Sequence, residues 1–258
     1  MTPMHLPILP MPTRRAQAGQ GSGAFARLLR GRLPAGWLTP RRTLGGLCLG
    51  LALLACQSQA DLVDFSRNLL GWAEQRWGAG APSRMLTWQR LVRDAQAQVA
   101  ANKLEAPQLL LRSNDFFNQI PYMTDARHWG MEDYWATPVE SLGSLAADCE
   151  DYAIAKYLTL KELGIPIDRL RITYVRALRL NEAHMVLAYY PTPDADPLIL
   201  DNLNPVIRPA SQRPDLEPVY SFNDDDLWLP NGSTRKGGSS QVRLWKDLQA
   251  KLLREQQM

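Results

Sequence analysis

The sequence predicts an α+β fold, helices first and an antiparallel sheet second, in one domain over residues 61–258. Three observations support this. Apolar residues recur at helical spacing through the first hundred residues of that span, β-rich runs bounded by turn residues follow from about residue 170, and no internal repeat is visible. A chain of 258 residues with 45% apolar content can bury a sizeable core.

In order, Leu69, Leu70, Trp72 and Trp77 mark a first helix that ends at Gly78-Ala79-Gly80. Pro82 and Ser83 introduce a second, over about 85–99, and a third spans about 106–117. Between 118 and 143 the periodicity fails, and an aromatic loop with Tyr122, His128, Trp129, Tyr134 and Trp135 is expected. The clearest element follows: Asp148 is a good N-cap, Asp151 can reach back to it, and Gly164 with Pro166 closes the far end. Residues 170–180, 183–190 and 198–203 then read as strands separated by Asn181-Glu182 and by 191–197. Short strands at 219–222 and 227–229, a Gly/Ser stretch over 231–240 and an amphipathic helix over 242–255 complete the chain.

The first sixty residues read as targeting. They hold seven arginines and no acid, so the remainder carries 22 basic and 26 acidic residues, a net charge of −4. Such a balance is no footprint for nucleic acid, whose phosphates demand clustered positive charge. Arg41-Arg42, an apolar stretch over 44–55 and Ser58-Gln59-Ala60 follow the order of a secretory signal, so export to the periplasm with cleavage after Ala60 is expected. Leu53-Leu54-Ala55-Cys56 also fits a lipoprotein box, which would anchor the chain at Cys56, and Arg41-Arg42-Thr43-Leu44 resembles part of a twin-arginine signal. Either way Cys48 and Cys56 lie in the leader, which leaves Cys149 as the single cysteine of the body.

A lone thiol after export calls for an explanation, and its neighbours offer one. Cys149 is the first helical residue after a cap, where free backbone N–H groups and the helix dipole favour a thiolate and an oxyanion. His184 near the start of one strand is the candidate base, and Asp201 near the end of the next is the candidate orienting carboxylate. Setting His184 directly opposite Asp201 leaves a four-residue loop at 191–194, a register compatible with turn chemistry. An amide at 201 still orients the ring, so Asp201→Asn is expected to be milder than His184→Ala. His128 competes as base without a matching acid, and His5 lies upstream of the signal. Asp148, Glu150 and Asp151 crowd the thiol with three like charges, which oppose ionisation unless a hard cation neutralises them. Oxygen ligands of this kind suit calcium, though the spacing is not an EF-hand.

The segments Glu132-Asp133-Tyr134-Trp135-Ala136-Thr137-Pro138 and Asp148-Cys149-Glu150-Asp151-Tyr152-Ala153 resemble the bacterial transglutaminase-like cysteine proteases, and Ala183-His184-Met185 and Leu200-Asp201-Asn202 continue the match. The resemblance runs from about residue 61 to 228. It implies a papain/transglutaminase-like fold, a triad at Cys149, His184 and Asp201, and a Ca²⁺ site built from Asp148 and Glu150, with Asp151 as a third ligand. It also implies a large surface adhesin as substrate, cut in its N-terminal region near a paired-alanine motif. An inner-membrane cyclic-di-GMP receptor is implied as inhibitor. Three other readings use the same residues: transglutaminase-type acyl transfer, a non-catalytic calcium-dependent binding module, and a zinc site, which lacks paired-cysteine spacing.

Overall fold

The computed structural model describes residues 61–229, 234, 235 and 237–258, which belong to one compact unit. The leader, with Cys56 and the expected cleavage site at Ala60, and part of the Gly/Ser stretch lie outside the described residues. Among the described residues, seven α-helices and a seven-stranded sheet result: α1 (Arg67–Trp77), α2 (Gly80–Ala100), α3 (Ala106–Phe117), α4 (Asp125–His128), α5 (Pro138–Ser144), α6 (Cys149–Glu162), β1 (Leu170–Ala177), β2 (Glu182–Tyr189), β3 (Leu198–Leu200), β4 (Arg208–Pro209), β5 (Leu216–Phe222), β6 (Leu227–Trp228), β7 (Thr234–Arg235) and α7 (Arg243–Gln257). The strand order is β4-β3-β2-β1-β5-β6-β7, with every pairing antiparallel.

Local signals explain most boundaries. Ser66 caps α1 by accepting from the Leu69 N–H, and α3 starts on a Glu105/Gln108 capping box with Pro107 in its first turn. Two short helices replace much of the expected aromatic loop. One of them, α5, opens on a capping box of Thr137 and Glu140 with Pro138 between them. That signature is present in the sequence, but the segment is too short to show helical periodicity.

The core lies where α6 crosses the sheet. From Glu150 to Leu160 every residue of α6 is buried, so the helix is enclosed on all sides rather than amphipathic. It packs on β2 and β1, and α3 lies alongside it. Trp88 of α2 is fully buried and donates to the Thr159 hydroxyl at 3.0 Å, tying the helical layer to α6. The amphipathic α7 buries Trp245 and Leu248, and Trp245 meets Tyr157 of α6 edge-on at 5.6 Å. At ~25 cal/mol per Å² of apolar surface, each buried aromatic of this kind stabilises the fold by a few kcal/mol.

The register of β2 with β3 differs from the expected one. Leu187 pairs with Leu200 and Tyr189 with Leu198, a slip of two residues. The connection is longer than four residues because Pro191, Pro193 and Pro197 keep it out of the ladder and a turn from Thr192 to Ala195 takes up chain. A slip of two leaves every side chain on its expected face, whereas a slip of one would have reversed them all.

Candidate active site

Cys149 opens α6 behind a capping box in which Asp148 and Asp151 satisfy each other's backbone N–H groups. The half-buried thiol donates to Glu150 Oε2 at 3.1 Å. Burial, then the Glu150 and Asp148 carboxylates, push the thiol well above its ordinary range. The charge repulsion expected at this helix start is therefore present, and Glu150, not His184, is the hydrogen-bond partner of the thiol among the described residues.

The acids do not form the expected trio. Asp125, at the start of α4, joins Asp148 and Glu150; all three are buried, and each offers an oxygen within 4.8 Å of the others. That span is about twice a Ca–O bond of ~2.4 Å, so a single ion can touch all three. Burial and then Asp148 raise Asp125 to about 7, and burial raises Asp148 to about 6. Asp148 Oδ1 is buried without a hydrogen-bond partner. Hard carboxylate oxygens, mutually repelling and one of them unpartnered, fit a divalent cation.

Asp151 is differently employed. Its Oδ1 accepts from the Ala136 N–H at 2.7 Å and its Oδ2 from the Asp148 N–H at 3.3 Å, so it holds the backbone on both sides of the site and lies outside the group of three. Asp125 has no signal of its own in the sequence. Backbone bonds from Met123 N–H to the Ala147 carbonyl and from Ala147 N–H to the Pro121 carbonyl bring its segment beside Asp148.

On the sheet side, His184 Nε2 and Asp201 Oδ1 are 2.8 Å apart and both residues are buried. Asp201 follows directly on β3. Its Oδ1 also accepts from the Leu203 N–H at 3.0 Å, and its Oδ2 accepts from Arg213 Nη2 at 2.8 Å. Burial pushes the carboxyl up, but the bond and charge of His184 and then Arg213 outweigh it and hold Asp201 at about 2. An ionised carboxylate can only accept, so Nε2 carries the proton and Nδ1 is the ring's free nitrogen. His128, the competing base, packs edge-on against Trp129 at 4.2 Å, and burial, then Arg76, lowers it.

The comparisons with known proteins agree on one family. The profile of the bacterial transglutaminase-like cysteine proteinases matches residues 90–217. A solved structure of Legionella pneumophila LapG is 42% identical, over 72% of this chain and 96% of its own, with a TM-score of 0.61. The chain belongs to the bacterial transglutaminase-like cysteine proteinases. The EGTA-treated form of the Legionella protein matches with the same identity and coverage at a TM-score of 0.62. Its calcium-bound form matches at 42% identity and 0.60, over 72% of this chain and 97% of its own. No curated protein sequence matches. The family region of this cysteine proteinase spans α2 into β5 and so includes Cys149, His184, Asp201, Asp125 and Arg213.

One further buried group sits behind the site. Lys156 of α6 is fully buried with no hydrogen-bond partner for Nζ, which lies 5.9 Å from the centre of the Tyr152 ring. Burial lowers it to about 7 against the opposing pull of Asp201. In the sequence α6 reads as a helix with apolar faces, and this lysine carries no signal of its own.

Proposed function

We propose that the protein is a calcium-dependent periplasmic cysteine endopeptidase that cuts the N-terminal region of a large surface adhesin and releases it, promoting biofilm dispersal. The single observation that carries the catalytic part is the buried pair of Asp201, directly after β3, and His184 on β2, the strand that packs against the helix opened by Cys149. In this reading Cys149 is the nucleophile, His184 takes its proton through Nδ1, and Asp201 keeps the ring in that tautomer and stabilises the imidazolium. The thiolate adds to the peptide carbonyl, while the unpaired N–H groups of the α6 start face the developing oxyanion. His184 gives its proton to the leaving amine, and water then hydrolyses the thioester.

Asp125, Asp148 and Glu150 would hold the Ca²⁺. When bound, it supplies charge neutralisation beside the sulfur and removes Glu150 as the competing acceptor for the thiol proton. The calcium-bound and EGTA-treated forms of the Legionella relative support this choice of ion. Export through the arginine-rich leader, with removal through Ala60, and inhibition by an inner-membrane cyclic-di-GMP receptor complete the proposal. Both rest on the signal-like order of residues 41–60 and on the family resemblance.

The test is incubation of the protein with N-terminal adhesin fragments from the same genome, with and without chelator, beside Cys149→Ala. Discrete cleavage by the wild type, lost in the variant and in chelator, is expected. Cleavage at wild-type rate by a folded Cys149→Ala protein would remove the nucleophile assignment. Isopeptide cross-links to added amine in place of cleavage would indicate acyl transfer.

A further inference from the structure

Arg213 is neither a triad member nor an acid of the cation site, yet it is only 4% exposed and ends on the catalytic pair. Its Nη2 donates to Asp201 Oδ2 at 2.8 Å and to Asp215 Oδ2 at 2.8 Å, and its Nε donates to Asp215 Oδ1 at 3.0 Å. The guanidinium is therefore gripped along one edge, while Nη1, also buried, has no partner. A side chain placed by packing alone has no reason to leave one donor unsatisfied while it doubles another. Its backbone is equally constrained. The Arg213 N–H donates to the Ala210 carbonyl at 2.9 Å, Pro214 follows, and the Leu216 N–H returns to the Arg213 carbonyl at 3.1 Å. Asp215 thus sits in the same tight turn and clamps the guanidinium from outside.

We propose that Arg213 is a positioning residue of the His184–Asp201 pair, holding the Asp201 carboxylate in the one rotation that locks His184 with its proton on Nε2. This inference rests on the proteolytic reading above. A carboxylate with no exposed side-chain surface needs a donor on each oxygen. Oδ1 is served by His184 and the Leu203 N–H, and Oδ2 by Arg213. Without Arg213, Oδ2 is a buried unpaired acceptor, and the group turns or takes a proton to relieve that cost. Either change weakens the constraint on the imidazole. Lys156 contributes charge towards Asp201 from α6 but makes no hydrogen bond to it, so it cannot take over this role.

The test separates positioning from folding and from the substrate assignment. The ring tautomer of His184 is read by long-range ¹H–¹⁵N spectra of ¹⁵N-histidine protein in the Cys149→Ala background at a pH where the ring is neutral, with His184→Gln used for assignment. A single Nε2–H tautomer is expected. Adding Arg213→Gln is expected to give mixed tautomers. In the active enzyme Arg213→Gln is expected to lower kcat at least about tenfold with KM nearly unchanged, a fraction of the ~10⁴-fold cost of a wholly wrong tautomer. Arg213→Lys, which keeps the charge and one donor, is expected to recover part of kcat. Should Arg213→Gln fail to fold, Asp215→Asn loosens the clamp and is expected to shift the same spectrum in the same direction. A retained single tautomer in both variants, or a lower melting point with unchanged kcat, would overturn the proposal. If no adhesin fragment is cut by the wild type, the substrate reading fails while the spectra still decide the role of Arg213.

Discussion

At position 201 the neighbours change what an amide would do. An asparagine there would have to turn its oxygen towards Arg213 Nη2, because its amino group cannot accept from a guanidinium. The amino group then faces His184 Nε2 and forces the proton onto Nδ1, the nitrogen needed as base. Asp201→Asn is therefore expected to cost roughly 10³–10⁴-fold in kcat/KM, close to the loss for His184→Ala rather than milder than it. A kinetic comparison of the two variants on one adhesin fragment checks this, and a loss under about tenfold for the amide variant would contradict it. The acids separate in the same way. Asp125→Asn removes a member of the buried trio and is expected to weaken calcium binding measured by calorimetry. Asp151→Asn keeps one acceptor oxygen, so it leaves either the Ala136 or the Asp148 N–H facing an amino group, and is expected to lower stability by about 1–2 kcal/mol, with calcium affinity changed less.

Among the elements, α7 is fastened to α5 through a polar contact that titrates. Thr137 Oγ1 donates to Glu255 Oε1 at 2.5 Å. Burial first raises this carboxyl, and Glu140 nearby adds to the rise, bringing it to about 8. A carboxyl raised in the folded state favours the protonated form, so its contribution is fully present below about pH 4.5 and is lost as pH rises through 8. Glu255→Gln keeps an acceptor for Thr137 without the charge. It is expected to melt at least about 2 °C above the wild type at about pH 9 and to match it at about pH 4, in thermal scans followed by circular dichroism. A variant that melts lower at the alkaline pH would show that the charged form is the one the fold uses.

For the whole molecule, the proposed cation site carries a prediction about stability, because three buried acids meet beside Cys149. Calcium bound only by the folded state adds about 2.7 kcal/mol at a hundredfold excess over its Kd. That amounts to a melting-point rise of roughly 5–10 °C over protein in excess chelator. Mg²⁺, slower to shed its waters and stricter in geometry, is expected to achieve less. Equal melting points in chelator and in saturating calcium would refute the site.

Much of this protein is legible in its sequence because the signals are local. Asp148 sits at a helix start, where capping chemistry favours such a side chain, and the change of period after residue 169 marks the passage from helices to sheet. Cys149 could be picked out by composition, and His184 and Asp201 by their strands. What the sequence could not decide depends on segments distant in the chain meeting in space. Asp125 joins Asp148 because residues 121–123 bond to Ala147. Asp151 turns from the expected ligand into a backbone clamp because Ala136 lies within its reach. The β2–β3 register depends on how much chain a proline-rich loop consumes, and the partner of Asp201 Oδ2 on where a turn at 213–216 docks. Periodicity and caps are properties of a few neighbouring residues, whereas a ligand set or a hydrogen-bond relay is a property of the packed molecule.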